Sequence, residues 1–517
     1  MNLHISLSGS KIRFIIRFFE VNDRKDVKLF SILPLMIDIL KTYDVPEDVL
    51  DEVYVDCLSD NSIYNKLFRI LSDLNIKSFQ SLSDVAKLSF LNQGITYALY
   101  NKNESVEQIF PFDLIPRILQ GSEWNTIEAG IIQRNTALNM FLQDVYNEGK
   151  ILKDKVVPKR LIKSSTHYCK IMENFTPAKG VYCHISGTDL IRHSDGNFYV
   201  LEDNLRSPSG VSYVLSNRIA MTRVLPQAFN DVNIEPVFEY TDRLRSAFWN
   251  VSGRPLGDIY CVLLTPGSFN SAYFEHTFLA QQMGIELVEG RDLVVKDDFV
   301  YSRSIGGLIR VDVVYRRIDD AFLDPYVFRP DSLLGVKGLM GVYLKGNVTI
   351  VNAPGTGISD DKAICSYVPD MIKYYLNEDP IIDNVPTYIC DRPEDLQYVK
   401  DHIQELVVKP VDMSGGYGVC ICDQMSKVEI DTLILKIEAN PRNFIAQPKM
   451  MLSTHSTFIE DSNRFEPRHV DLRTYSIFGG EQPYVLPGGL TRIALTKGSL
   501  IVNSSQGGGS KDTWIVN

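Results

Sequence analysis

The chain has 517 residues, 44% of them hydrophobic and 23% charged, an ordinary globular balance with length for roughly two to four domains. The formal net charge is −11 and no lysine- or arginine-rich run stands out, which sets aside a nucleic-acid backbone as the main partner. No stretch approaches about eighteen uncharged apolar residues, so no membrane span is expected.

The run KIRFIIRFFEV, Lys11 to Val21, is apolar but broken by Arg13 and Arg17, and it lacks a small-residue cleavage site. It predicts a short amphipathic strand or helix and no signal peptide. Residues from about Leu29 to Phe90 carry apolar side chains at helical spacing, and Gly94 to Tyr100 alternates like a strand. Ser122 can cap a long helix striped by Ile127, Ile131, Leu138, Phe141, Leu142 and Val145 and closed near Gly149. From Ile259 to about Asp324 the order is strand, helix, strand, which predicts a small α/β subdomain. There TPGSFNSAYFEH places Gly267, Ser268, Asn270 and Ser271 at a helix start, where free N–H groups either favour an anion or are simply capped. After Asn352 come a glycine turn, a helix near Asp361 to Leu376, and several strands. The eight cysteines are scattered, with Cys420 and Cys422 the only close pair and no C-x-x-C, as expected for reduced thiols in a cytoplasmic protein.

Two stretches carry chemistry. In TDLIRHSDGNFYVLEDN, Asp195-Gly196 is a two-residue hairpin signal. With those residues as the turn, Ser194 faces Asn197, Leu190 faces Leu201 and Asp189 faces Glu202, and Asn204 shares the Glu202 side. Two carboxylates opposed on one face repel, and a hard divalent cation reverses that sign, so Asp189, Glu202 and Asn204 suit magnesium. The plainer alternative is a sheet edge with its acids in water. In LVVKPVDMSGGYGVCIC, Lys409 ends a strand and Ser414, Gly415, Gly416 and Gly418 make a loop before the next. Glycines let backbone N–H groups wrap a phosphate chain and the lysine adds charge, although many such hairpins are only tight turns. Lys362 near a helix start, Arg468, Asp471 and Arg473 in RHVDLRTY, Arg492 in GGLTRIA, and Asn503 and Lys511 in NSSQGGGSKDTW add the remaining elements of a nucleotide site.

At these residues the sequence resembles the circularly permuted ATP-grasp family, type 2. The resemblance runs from FPFDLIPRIL, Phe110 to Leu119, to the C-terminus, through GTDLIRHSDGNFYVLEDNLRSPSGVSY, LTPGSFNSAYFEHTFLAQQMG, VDVVYRRIDDAFLDP, GTGISDDKA, VVKPVDMSGGYG and PGGLTRIA. It implies an α+β fold: a circularly permuted ATP-grasp core with an inserted α/β subdomain and a helical N-terminal region. The implied division is a helical region over 1–90, the metal-binding part of the core over 91–250, a substrate subdomain over 251–345, and the nucleotide-binding part over 346–517. The set Asp189, Glu202 and Asn204 is similar to the metal set of glutathionylspermidine synthase, a permuted ATP-grasp ligase. By the same resemblance Lys362, Lys409 and the flap Ser414, Gly415, Gly416, Tyr417 and Gly418 bind ATP. Gln447, in NFIAQPKM, lies where the backbone meets an adenine edge, and Arg206 and Arg492 bind the transferring phosphoryl group. The family often has an acid after the flap lysine; this chain has Pro410. The implied activity is ATP- and Mg2+-dependent ligation of a small-molecule or peptide acid to an amine through an acyl phosphate. The rivals are a phosphotransferase and a catalytically silent nucleotide-binding protein.

Overall fold

The structure, a computed structural model, describes residues 43–517 apart from 60–61, 72–73, 102–103, 255–258, 414, 481 and 504–507. The apolar run at Lys11–Val21, the part of the predicted helical stretch before residue 43, and Ser414 of the flap lie outside the described residues.

The largest sheet runs in the order Phe112–Gln120, Gly509–Val516, Leu490–Ile493, Arg464–Ile477, Ile185–Arg192, Phe198–Asn204, with Thr454–Ile459 and Tyr484–Val485 also paired to Arg464–Ile477. Two of its pairings join strands hundreds of residues apart, Phe112–Gln120 with Gly509–Val516 and Ile185–Arg192 with Arg464–Ile477, and the second brings the acidic hairpin against RHVDLRTY. The helix Gly121–Tyr146 packs its predicted stripe inward: Ile127, Ile131, Leu138, Phe141, Leu142 and Val145 are all buried. Its start differs from the expectation. Gln120 is the N-cap, in a capping box with Glu123, and Ser122 lies inside the first turn.

A second, four-stranded antiparallel sheet has the order Tyr388–Ile389, Phe444–Pro448, Leu406–Pro410, Cys420–Ile421. Leu406 and Val408 turn towards the helices Pro393–Asp401 and Lys427–Ala439, where they join Val399, Ile430, Leu433 and Ile437. The two-residue period of a strand then aims Val407 and Lys409 the opposite way, into a slot between this sheet and the large one. The segment just before the sheet staples the two together: Val200 N donates to Asp383 O at 2.8 Å and Val385 N to Val200 O at 2.9 Å.

The third layer is a parallel sheet ordered Thr349–Val351, Val313–Arg316, Cys261–Leu264, Glu286–Val288, with the helix Tyr273–Met283 as crossover between the last two. Its strand at Thr349–Val351 lies past residue 345, where the sequence reading ended the subdomain. An antiparallel sheet of Leu293–Lys296, Phe299–Ser304 and Gly307–Val311 adjoins it. At the N-terminal end, helices Glu52–Cys57, Ile63–Ile70 and Ile76–Asn92 bury Tyr64, Leu67, Phe68 and Phe79 against Leu114, Ile115 and Trp514 of the large sheet. Glu52 and Arg117, both buried, close that contact at 2.6 Å. The helix expected near Asp361 to Leu376 is two, Lys362–Cys365 and Val368–Leu376, the second carrying a proline in its first turn.

Candidate functional site

The hairpin Ile185–Arg192, Phe198–Asn204 pairs Asp189 with Glu202 by a route different from the predicted one. Its turn is longer: His193 N donates to Asn197 O at 2.9 Å, and Gly196 sits at φ 85, the left-handed position of a three-residue hairpin loop. That shifts the register by one, so Leu190 pairs with Val200 and Ile191 with Tyr199, not Leu190 with Leu201. An irregularity between Asp189 and Leu190 leaves Leu201 as the extra residue and restores the pair Asp189↔Glu202. Asp203 turns to the opposite face, where buried Arg134 holds it at 2.7 Å.

The two carboxylates do not oppose one another bare. Arg473 is the direct cross-strand neighbour of Asp189 and binds it through Nε at 2.5 Å and a second nitrogen at 2.8 Å, with Glu202 3.9 Å away. Arg492, cross-strand from Asp471, binds Asp471 and also reaches Asp189 at 2.7 Å. Lys362 approaches Glu202 at 3.2 Å and donates to Met413 O at 2.6 Å. The result is an alternating ladder of charge across neighbouring strands. Burial alone would raise the Asp189 pKa, but Arg473 and Arg492 outweigh it and hold the carboxyl well below its usual range. Asp471 goes the other way: burial raises it despite Arg492. Burial also opposes the charge of Lys362, yet Glu202 leaves its pKa raised. The bare repulsion expected of two opposed carboxylates is therefore answered by Arg473, Arg492 and Lys362.

Two cavities meet at this ladder. One, of about 120 Å³, is the slot between the sheets, walled by Ile191, Leu201, Val407, Ile421, Pro448 and Met450 and ending at Lys362, Lys409 and Glu202. The other, of about 630 Å³, is polar and is lined by Asn204, Arg206, Arg317, Asp319, Asp360 and Arg473 among others. Glu202, Lys362, Met413, Tyr417, Arg492 and Asn503 border both. Gly416 borders the slot and Gly415 the larger cavity, at φ 76 and 69. Gly418, at φ 73, packs against Pro410; a Cβ there would come within 2.8 Å of Pro410 Cγ, so the ring that replaces the expected acid is a seat for the flap. Arg206 lies between Asp319 at 3.3 Å and Asp360 at 3.5 Å. Burial pushes Asp360 up to about 6 against the pull of Arg206.

The sequence-predicted residues Asp189, Glu202, Asn204, Arg206, Lys362, Lys409, Tyr417, Gln447 and Arg492 thus line one or both cavities. Arg468 and Lys511 do not: Arg468 is tied to Glu466 and Leu495 O, and buried Lys511 to Asp113, Ile115 O and Ser456 O. Arg473, offered by the sequence as one charged residue of RHVDLRTY, lines the larger cavity, but its grip on Asp189 was not foreseen; its two-residue spacing from Asp471 on one strand was the available signal. As oxygen donors for magnesium, Glu202 and Asn204 fit. The amide nitrogen of Asn204 is buried without a hydrogen-bond partner, and amide O and N are exchanged by a simple flip. Asp189 fits only when Arg473 yields it. No group of three His, Cys, Asp or Glu side chains is arranged for a metal among the described residues, so an ion here would draw on Asn204 and on substrate oxygens.

No helix among the described residues is long and apolar enough to cross a membrane. An uncharacterized protein of Synechocystis is 50% identical over 477 residues, 92% of this chain and 98% of that protein. A protein of Frankia casuarinae with the provisional name glutamate–cysteine ligase 2-2 is 41% identical over 428 residues, 82% of this chain but only 48% of its own length. The fold matches that of a glutathione synthetase-like effector from Globodera pallida in its apo form, with TM-score 0.56, 11% identity, and coverage of 86% of this chain and 98% of that one. The model of the circularly permuted ATP-grasp type 2 family matches residues 116–494, and the chain belongs to that family.

Proposed function

We propose that this protein is an ATP-dependent carboxylate–amine ligase that works through an acyl phosphate. The observation that carries the reading is the meeting of the two cavities. An apolar slot with room for a flat base ends in two lysines, and at that end it opens into a polar cavity large enough for an acid and an amine. A nucleotide in the slot presents its terminal phosphate at the residues both cavities share. The substrate carboxylate attacks the γ-phosphorus, ADP departs, and the amine then attacks the acyl carbon and expels phosphate. Lys362 and Lys409 neutralise the phosphate chain, and Arg206, Arg473 and Arg492, which line the larger cavity, meet the charge that develops on the transferring group. Glu202, Asn204 and, once released, Asp189 would hold magnesium. When bound, that ion supplies positive charge to the phosphate oxygens. Ligase naming among relatives supports the reaction class. The eight unbridged cysteines support a cytoplasmic setting.

Hydroxylamine tests the reading. With ATP, magnesium and a library of small acids and short peptides, a ligase forms hydroxamate in step with ADP. A phosphotransferase acting on an alcohol releases ADP without hydroxamate, and a binding protein releases neither; either result rejects the proposal.

A further inference from the structure

Lys409 is held by a single side chain. Its Nζ donates to Gln447 Oε1 at 2.6 Å, Gln447 Nε2 donates to Thr387 Oγ1 at 3.0 Å, and the Thr387 hydroxyl donates to Val385 O at 2.9 Å. This chain leaves the amide one orientation, because a flipped Gln447 would aim its NH2 at an ammonium. Gln447 is 4% exposed, so little water competes for these partners. The relay continues through the backbone pairing of Val385 with Val200, two residues before Glu202 on the same strand. One amide therefore fixes the lysine of the four-stranded sheet relative to the strand of the large sheet that carries Glu202. Lys362 pairs with Glu202, whereas Lys409 makes no ion pair among the described residues.

We propose that Gln447 is a positioning residue: its amide holds the Lys409 ammonium in place without neutralising it, at the depth where the phosphates of a nucleotide in the slot would lie. The proposal rests on the reading of the slot as an ATP site. A glutamate would fill the same space and grip the lysine at least as firmly, but it would cancel the charge and face the phosphates with its own. A neutral acceptor keeps the geometry and the charge together. Burial draws the Lys409 pKa down to about 8; Glu202 and Asp189 from the hairpin and the Cys365 thiol raise it, and Lys362 lowers it.

The test is ATP affinity of the full chain, by calorimetry, from about pH 6.5 to 9.5. The parent affinity is expected to be level below about pH 8 and to fall roughly tenfold per unit above it as Lys409 loses its proton. Gln447→Glu is expected to weaken ATP binding at pH 7 by at least about tenfold and to move the inflection above pH 9.5. Thr387→Val leaves Lys409 and Gln447 in place but unlocks the amide. It should weaken binding about fivefold, the scale of one hydrogen bond, with the inflection near its parental pH. If Lys409→Ala weakens ATP binding while Gln447→Glu behaves as the parent in both affinity and inflection, the positioning role is wrong and the ATP site stands. If Lys409→Ala itself binds ATP like the parent, the ATP reading falls and takes the proposal with it.

Discussion

Glu202→Gln is expected to lower ATP-dependent turnover by roughly a thousandfold, the upper scale for losing one charged group at a transition state. Glu202 is the acid that borders both cavities, and it is the counter-charge of Lys362 at 3.2 Å. Glutamine keeps its shape and removes its charge, so an oxygen donor for a cation becomes a weak one and Lys362 loses its anchor. The fold should barely notice. The contacts to Lys362 and Arg473 are long, and the Glu202 side chain is 20% exposed, so the loss in stability should stay within about 1 kcal/mol. ADP release measured beside thermal unfolding separates the two effects. Parental ADP release by this variant would remove Glu202 from the chemistry.

Arg492→Met should do the reverse and damage the fold first. Arg492 bridges Asp189 and Asp471, both about 1% exposed. Asp189 keeps Arg473 in the variant, but Asp471 is left as a buried carboxylate without its guanidinium. Breaking a buried pair from one side costs about 3–5 kcal/mol. The pH dependence gives the signature. Burial already raises the Asp471 pKa with Arg492 present, and its removal raises it further. A carboxyl whose folded pKa lies above its unfolded value of about 3.9 contributes most at low pH, and its contribution falls as pH rises from there through the folded pKa. The variant should therefore lose less stability at about pH 5 than at about pH 8. Equal losses at both would show that Asp471 does not carry the strain.

The acidic hairpin shows how far the sequence could be read. Asp195-Gly196 marked the reversal, and the opposition of Asp189 to Glu202 is present. Two departures compensate, a longer turn and an extra Leu201, and neither has a strong local signature, because a bulge is selected by what packs on the strand beyond it. The apolar stripe of Gly121–Tyr146 was legible for the opposite reason: helical period is local. Arg473 illustrates what local reading cannot supply. Its partner Asp189 lies 284 residues away, and only the pairing of Arg464–Ile477 with Ile185–Arg192 makes them neighbours. Gln447 is similar: the resemblance placed it beside the nucleotide, but its hold on Lys409 appears only when Thr387 and Lys409 are brought to either side of it.

A structure of the chain crystallised with magnesium and a non-hydrolysable ATP analogue would show where the nucleotide binds. The base is expected between Leu201 and Val407, the phosphate chain on Lys362 and Lys409, and the terminal phosphate facing Arg206 in the larger cavity, with the ion on Glu202 and Asn204. A nucleotide bound elsewhere, for instance in the cavity of about 390 Å³ bounded by Tyr199, Tyr367 and Arg392, with both lysines still on Glu202 and Gln447, would contradict it.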